Sequence, residues 1–387
     1  MAKNSSNQKT TRQKSLALHK KLRGKIEMKS KMRVESMQEL ALLYTPGVAS
    51  VCNKLATSPK TAREYTFKGN SVAVVSDGSS VLGLGNIGPY GAYPVMEGKA
   101  LIFKEFANVD AVPLVLNTQD PDEIVRVIKA IAPTFGGINL EDIAAPACFE
   151  IERRLIEELD IPVMHDDQHG TAIVVLAGLI NACKVTKRKL DDSVIVVNGV
   201  GAAGIATMRL VKHYAPTAII IAVDSTGIIW SGRDDLNNEK QSLIIERIIS
   251  SGKGGSLRDA LVKADIFIGV SRGNIVTKEM VSSMSAKPII FALANPTPEI
   301  MPEVALRSGA AVVATGRSDF PNQVNNALVF PGVFRGALDN KVKKITMQMK
   351  VRAAQALASL VAKPTAKKII PDIFDKRVVK AVARVIK

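Results

Sequence analysis

The sequence predicts an α/β protein of two domains built on open parallel sheets, and three observations carry that reading. Continuous apolar strands alternate with amphipathic helices along most of the chain, the pattern of βαβ units. A glycine-rich turn, Gly199-Val-Gly201-Ala202-Ala203-Gly204, joins one such strand to a helix, and the next apolar strand ends in Asp224. Two acidic doublets, Glu141-Asp142 and Asp166-Asp167, each follow a short apolar strand. A chain of 387 residues has room for two cores. We expect a disordered basic tail at residues 1–13, a first α/β domain at 14–165 and a second, doubly wound Rossmann domain at 166–387. The last helices are expected to pack back on the first domain.

Composition narrows the function classes. Hydrophobic residues at 47% and charged residues at 23% are globular values. The longest apolar run, near Ala172 to Ile180, is far shorter than the roughly 18 residues that span a bilayer, and no signal-peptide core follows the first residues. Three scattered cysteines without a CxxC pair argue for a reducing, cytoplasmic setting. The net charge of +16 belongs to the ends: residues 1–33 contribute +10, residues 341–387 contribute +11, and the middle is −5. With only 4% aromatics and no recognition element, specific nucleic-acid binding is not expected.

Taken in order, Ser36-Met-Gln-Glu39 is a capping box opening a helix through Leu43, stopped at Tyr44-Thr-Pro46-Gly47. Ser71 to Val75 is a buried strand. Gly83-Leu-Gly85-Asn-Ile-Gly88 has the dinucleotide spacing, but Pro89, Tyr90 and Gly91 stand where a helix should open, so it reads as a loop near a substrate. Lys99 then sits at the start of an apolar helix or strand, a position that requires a neutral or paired amine. A strand at 111–116 and a helix at 121–131 lead to the first acidic doublet. A helix at 150–158 and a strand at 161–164 lead to the second.

The acids of both doublets end neighbouring strands, where ligands bind in open α/β sheets. Carboxylates so close repel unless a cation intervenes, and oxygen ligands favour a hard ion, magnesium or manganese. His165 and His169 lack a cysteine partner, which disfavours zinc. After a linking helix at 171–182, the order strand, three glycines, helix, strand, acid satisfies the full dinucleotide test. Asp224 suits a free ribose hydroxyl and no arginine stands in Ser225-Thr226-Gly227, so NAD is favoured, with NADP possible. Asn295 and Asn325 end later strands as neutral donors, although both also sit in turn-forming sequence.

Tyr44-Thr-Pro-Gly-Val-Ala49, Met96-Glu-Gly-Lys99, Asn-Leu-Glu141-Asp142, His-Asp166-Asp167-Gln-His-Gly-Thr171 and the Gly199 turn together resemble the malic enzymes in their short bacterial form. The resemblance runs from about Ser36 to Asn326 and implies an amino-acid-dehydrogenase-like first domain. It further implies oxidation and decarboxylation of L-malate to pyruvate and carbon dioxide, with NAD(P) and magnesium or manganese, in a homodimer or higher homo-oligomer. Residue by residue it implies Glu141, Asp142 and Asp167 as metal ligands, with Asp166 beside them as relay. Lys99 is implied as base and Tyr44 as proton donor. Gly199, Gly201, Ala202, Ala203, Gly204, Asp224 and Asn295 are implied for the coenzyme, and Asn295 with Asn325 for the substrate. A malolactic enzyme or oxaloacetate decarboxylase on the same scaffold is the alternative. One departure stands out: where larger relatives carry an arginine for a substrate carboxylate, this chain has Ser80 and Val81. The long extensions and acyltransferase domain of larger relatives are not expected here.

Overall fold

The computed structural model describes residues 2–81, 83–250 and 252–387. Two sheets organise it. The first has the order β2-β1-β3-β4, with β1 at Ser71–Ser76, β2 at Asp110–Val115, β3 at Gly137–Leu140 and β4 at Val163–His165. All its pairings are parallel. The second has the order β10-β9-β8-β5-β6-β7. Here β5 spans Val194–Asn198, β6 Ile219–Asp224 and β7 Gly227–Ile228. The remaining strands are β8 at Ile266–Gly269, β9 at Ile289–Ala292 and β10 at Val312–Thr315. Only β7 runs antiparallel.

Helices cover both faces of such sheets, so central strands need apolar residues on both sides. β1, β3, β8 and β9 are accordingly buried at every position, and so is the edge strand β10. Each sheet has a switch point where the chain leaves one strand in opposite directions, between β1 and β3 in the first and between β5 and β8 in the second. Side chains beyond the carboxyl ends of those strands face a crevice. The linking helix, Asp166–Thr186, begins at the first crevice and packs against the helix Ala202–Tyr214, which begins at the second.

The C-terminal helices complete the core. The helix Phe330–Asp339 packs on the helix Gly88–Ala107, with Phe330 and Phe334 edge-on to Phe103 at 4.7 and 5.5 Å between ring centres. The helices Met347–Ser359 and Arg377–Ala383 pack on the linking helix and on the Phe330 helix respectively. Residues of both sheets and of these helices share one apolar cluster.

Three expectations change. Ala2–Leu22 forms a helix where a disordered tail was expected through residue 13; it contains neither glycine nor proline, and residues 11–18 are exposed. A helix does open at Gly88, because Pro89 is tolerated in a first turn that needs no N–H partner. Lys99 is therefore mid-helix, not at an element's start. The Ile87 and Gly88 N–H groups both point to Gly78 O at 3.2 Å, so this turn does not present them to a phosphate. Among the described residues one helix, Asp166–Thr186, is long and apolar enough to cross a bilayer, but 67% of its apolar window is buried inside the fold.

Candidate active site

The carboxyl ends of β3 and β4 bring the two acidic doublets together. Glu141 and Asp142 follow β3, Asp166 and Asp167 form the first turn of the linking helix, and adjacent strands hold them in register. Asp142 takes a left-handed φ of 54°, which aspartate tolerates, and its N–H donates to Asp167 Oδ2 at 2.8 Å. Ligand oxygens of Glu141, Asp142 and Asp167 lie within 4.8 Å of one another. Gly170 is required one turn on, because a Cβ there would collide with Asp166 Oδ1.

Lys99 reaches this cluster from the Gly88 helix. Its ammonium lies 2.8 Å from Glu141 Oε1, hydrogen-bonds Asp166, and stands 4.4 Å from the centre of the Phe330 ring. Burial by itself would lower the Lys99 pKa, but Asp166, Glu141 and Asp167 outweigh it and hold it above the ordinary value. This reverses the lowered lysine that a base near neutral pH calls for: the amine is paired rather than merely desolvated. Glu141 is pushed well up by burial, against Lys99, and further by Asp167, Asp166 and Asp142. Four carboxylates around one ammonium leave excess negative charge in a buried place, which suits a divalent cation with oxygen ligands.

A cleft of about 860 Å³ spans both crevices. Lys99, Glu141, Asp142 and Asp167 line it from one side, and Gly201, Ala202, Ala203, Asn295 and Asn325 from the other. The helix Ala202–Tyr214 starts at Gly201, so its unpaired N–H groups face the cleft as an anion site. Asn325 Oδ1 accepts from Ala327 N at 2.9 Å, so the side-chain amide stays available as a donor.

Two predicted residues are placed differently. Tyr44, at the C-terminus of the helix Met37–Leu43, is 66% exposed and is not among the residues lining the cleft. Asp224 is not open to a ribose alone: Arg233 holds both its oxygens at 2.8 and 3.1 Å, and Lys240 donates to Oδ2 at 2.6 Å. Residues 225–227 hold no arginine, but the chain after β7 folds back over the end of β6 and brings Arg233 to Asp224.

The structure also adds residues. Lys25 lines the cleft and donates to Pro94 O at 2.5 Å; among the described residues it is the one lining cation besides Lys99. Glu152, buried on the helix Ala147–Glu158, accepts from His165 N at 2.7 Å and Gln168 Nε2 at 3.2 Å, and lies 3.0 Å from His169 Nε2. It thus anchors the segment that carries Asp166 and Asp167. Lys350, buried on the helix Met347–Ser359, adds charge near it. Local patterning offers no signal for any of these, since their partners lie many residues away.

The malic enzyme N-terminal domain profile matches residues 23–156, and the malic enzyme NAD binding domain profile matches residues 168–386. The chain belongs to the malic enzyme family. It is 54% identical over 377 residues to the bifunctional malic/malolactic enzyme of Bacillus subtilis, a match covering 97% of this chain and 92% of that protein. Against an NADP-dependent malic enzyme of Rhizobium meliloti it is 48% identical over 94% of this chain, which spans 47% of that longer relative. The crystal structure of an NAD-dependent malic enzyme from Thermotoga maritima superposes with a TM-score of 0.92 at 49% identity, covering 96% of this chain and 98% of that one. The superposition takes in both sheets of this chain, and the second sheet lies within the residues that match the NAD binding domain.

Proposed function

We propose that the protein oxidises and decarboxylates L-malate to pyruvate and carbon dioxide while reducing NAD(P). The observation that carries this reading is the Lys99 ammonium between Glu141 and Asp166, in one cleft with a dinucleotide turn. Glu141, Asp142 and Asp167 are the residues that would hold a magnesium or manganese ion. When bound, that ion supplies positive charge beside the substrate oxygen that becomes negative as carbon dioxide leaves.

Lys99 and Asp166 act as one proton-transfer pair. Asp166, itself raised by burial against the pull of Lys99, pairs with the ammonium and holds it at the cleft, where Lys99 is the group that exchanges a proton with the C2 hydroxyl. A coenzyme held at the Gly199 turn would supply the hydride acceptor for C2 in the same cleft. Lys25, unlike Lys99, forms no carboxylate ion pair among the described residues, and we assign it to a malate carboxylate in place of the missing arginine. Asn295 and Asn325 donate to the substrate or the nicotinamide amide.

NAD suits the Asp224 carboxylate, and Arg233 with Lys240 opens the same spot to the 2′-phosphate of NADP. Tyr44, as proton donor to C3, reaches a substrate only when the segment carrying it docks over a cleft. That segment exposes Leu22, Met28, Val34, Met37, Leu42 and Leu43, a run of apolar surface that pairing of two copies would cover.

Initial rates with L-malate, manganese and either coenzyme test the reading. Free NADH or NADPH appearing with pyruvate, and abolished by chelator, supports it. Lactate without net reduced coenzyme would establish the malolactic reaction instead, the second activity in the name of the Bacillus subtilis relative.

A further inference from the structure

A second cavity, of about 460 Å³, opens at the opposite edge of the first sheet. Its walls come from segments that precede strands: Lys68 before β1, Pro133 before β3, and Asp160 with Ile161 before β4. Lys60 and Arg63 close one side, and Lys341 and Lys343, just past the helix Phe330–Asp339, close another. The acids of the active site lie beyond the other ends of β3 and β4. At about 3.3 Å per residue, the two sites are separated by on the order of 15 Å.

Five cations face one acid here, and they are not equally engaged. Lys68 donates to the carbonyls of Ala132, Pro133 and Phe135 at 3.0, 3.2 and 2.7 Å. Lys341 faces exposed Glu64 at 3.8 Å. Arg63 gives Nη2 to Gly136 O at 3.4 Å, while its Nη1 is buried with no hydrogen-bond partner among the described residues. Asp160 forms no ion pair with any of the five among the described residues. Burial lowers both Arg63 and Lys68, and Arg63 lowers Lys68 further, with Asp160 opposing each. A buried guanidinium nitrogen left without an acceptor is costly, and its planar fork matches an oxyanion. The volume is at the small end of the range for metabolite sites, and so large an excess of cations exceeds what a single carboxylate needs.

We propose that this cavity binds a small phosphate-bearing metabolite through Arg63, Lys60 and Lys343, apart from the active site. Its occupant bridges the base of the first sheet to residues 341–343. The helix that ends just before them at Asp339 begins at Phe330, whose ring stands beside Lys99, so occupancy braces the helix behind that lysine.

Pyrophosphate is the probe, titrated into the full-length protein with EDTA present and NAD saturating, so that neither the metal ligands nor the dinucleotide turn accounts for binding. A saturable rise in melting temperature of about 3 °C or more is expected. Arg63→Gln/Lys343→Gln should weaken pyrophosphate binding at least about tenfold with NAD affinity unchanged. Lys60→Gln/Lys343→Gln, which changes only exposed side chains, should weaken it about fivefold and serves if the first variant does not fold. No saturable rise in the wild type, or unaltered affinity in the variants that fold, overturns the site. Citrate binding as tightly as pyrophosphate overturns the phosphate assignment.

Discussion

Glu152 shows how far a single buried charge reaches. Burial would raise its carboxyl, but His169, Lys350 and His165 bring it down to about 2, below the ordinary 4.5. A folded value below the unfolded one stabilises the protein above about pH 4.5, and the contribution is lost as pH falls toward 2. Wild type should therefore lose about 3 kcal/mol more than Glu152→Gln across that window, measured by urea unfolding. Parallel pH profiles would rule the effect out. At the end of β6, Lys240 faces two roles, holding Asp224 or meeting a 2′-phosphate. Lys240→Ala should lower kcat/KM for NADP about tenfold or more and for NAD less than about threefold. Equal losses would reduce it to a partner of Asp224.

Among elements, the dinucleotide turn is the most sharply constrained. A Cβ at Gly204 would collide with Gly199 O, pushing the start of the Ala202 helix away from β5. Gly204→Ala should weaken NADH binding at least about tenfold by fluorescence titration, with the fold intact by circular dichroism. Unchanged binding would mean that the coenzyme pyrophosphate lies elsewhere. This turn was legible because every feature it needs is local: strand, glycines, helix and terminal acid. The helix Gly88–Ala107 was not, because Pro89, Pro94 and its glycines argue against helix in isolation. Packing on β2 and against Phe330 and Phe334 supplies what propensity withholds.

For the whole molecule, the proposed pairing of two copies makes a prediction about Tyr44. Sedimentation should give a dimer, and Tyr44→Phe and Lys99→Ala should each lower kcat by roughly 10² or more. If one copy's Tyr44 serves the other's cleft, mixing the two inactive variants under exchange conditions should restore about a quarter of wild-type activity, since half the dimers are mixed and each has one intact site. A monomer, or no recovery on mixing, would return Tyr44 to its own chain's cleft.

By itself the sequence determined the alternation of strands and helices, the acidic doublets at strand ends and the dinucleotide turn, since hydrophobic periodicity and turn chemistry act over a few residues. Motif resemblance assigned Lys99 to the same site as the acids. Only the tertiary structure showed that Lys99 is an ion-paired amine, that Arg233 and Lys240 close on Asp224, that Lys25 enters the cleft, and that Glu152 anchors the acidic segment. Those pairings join residues up to 69 positions apart. A charge's state depends on what the fold packs beside it, through burial and neighbouring charge, and neither is written in the residues alongside it in the chain.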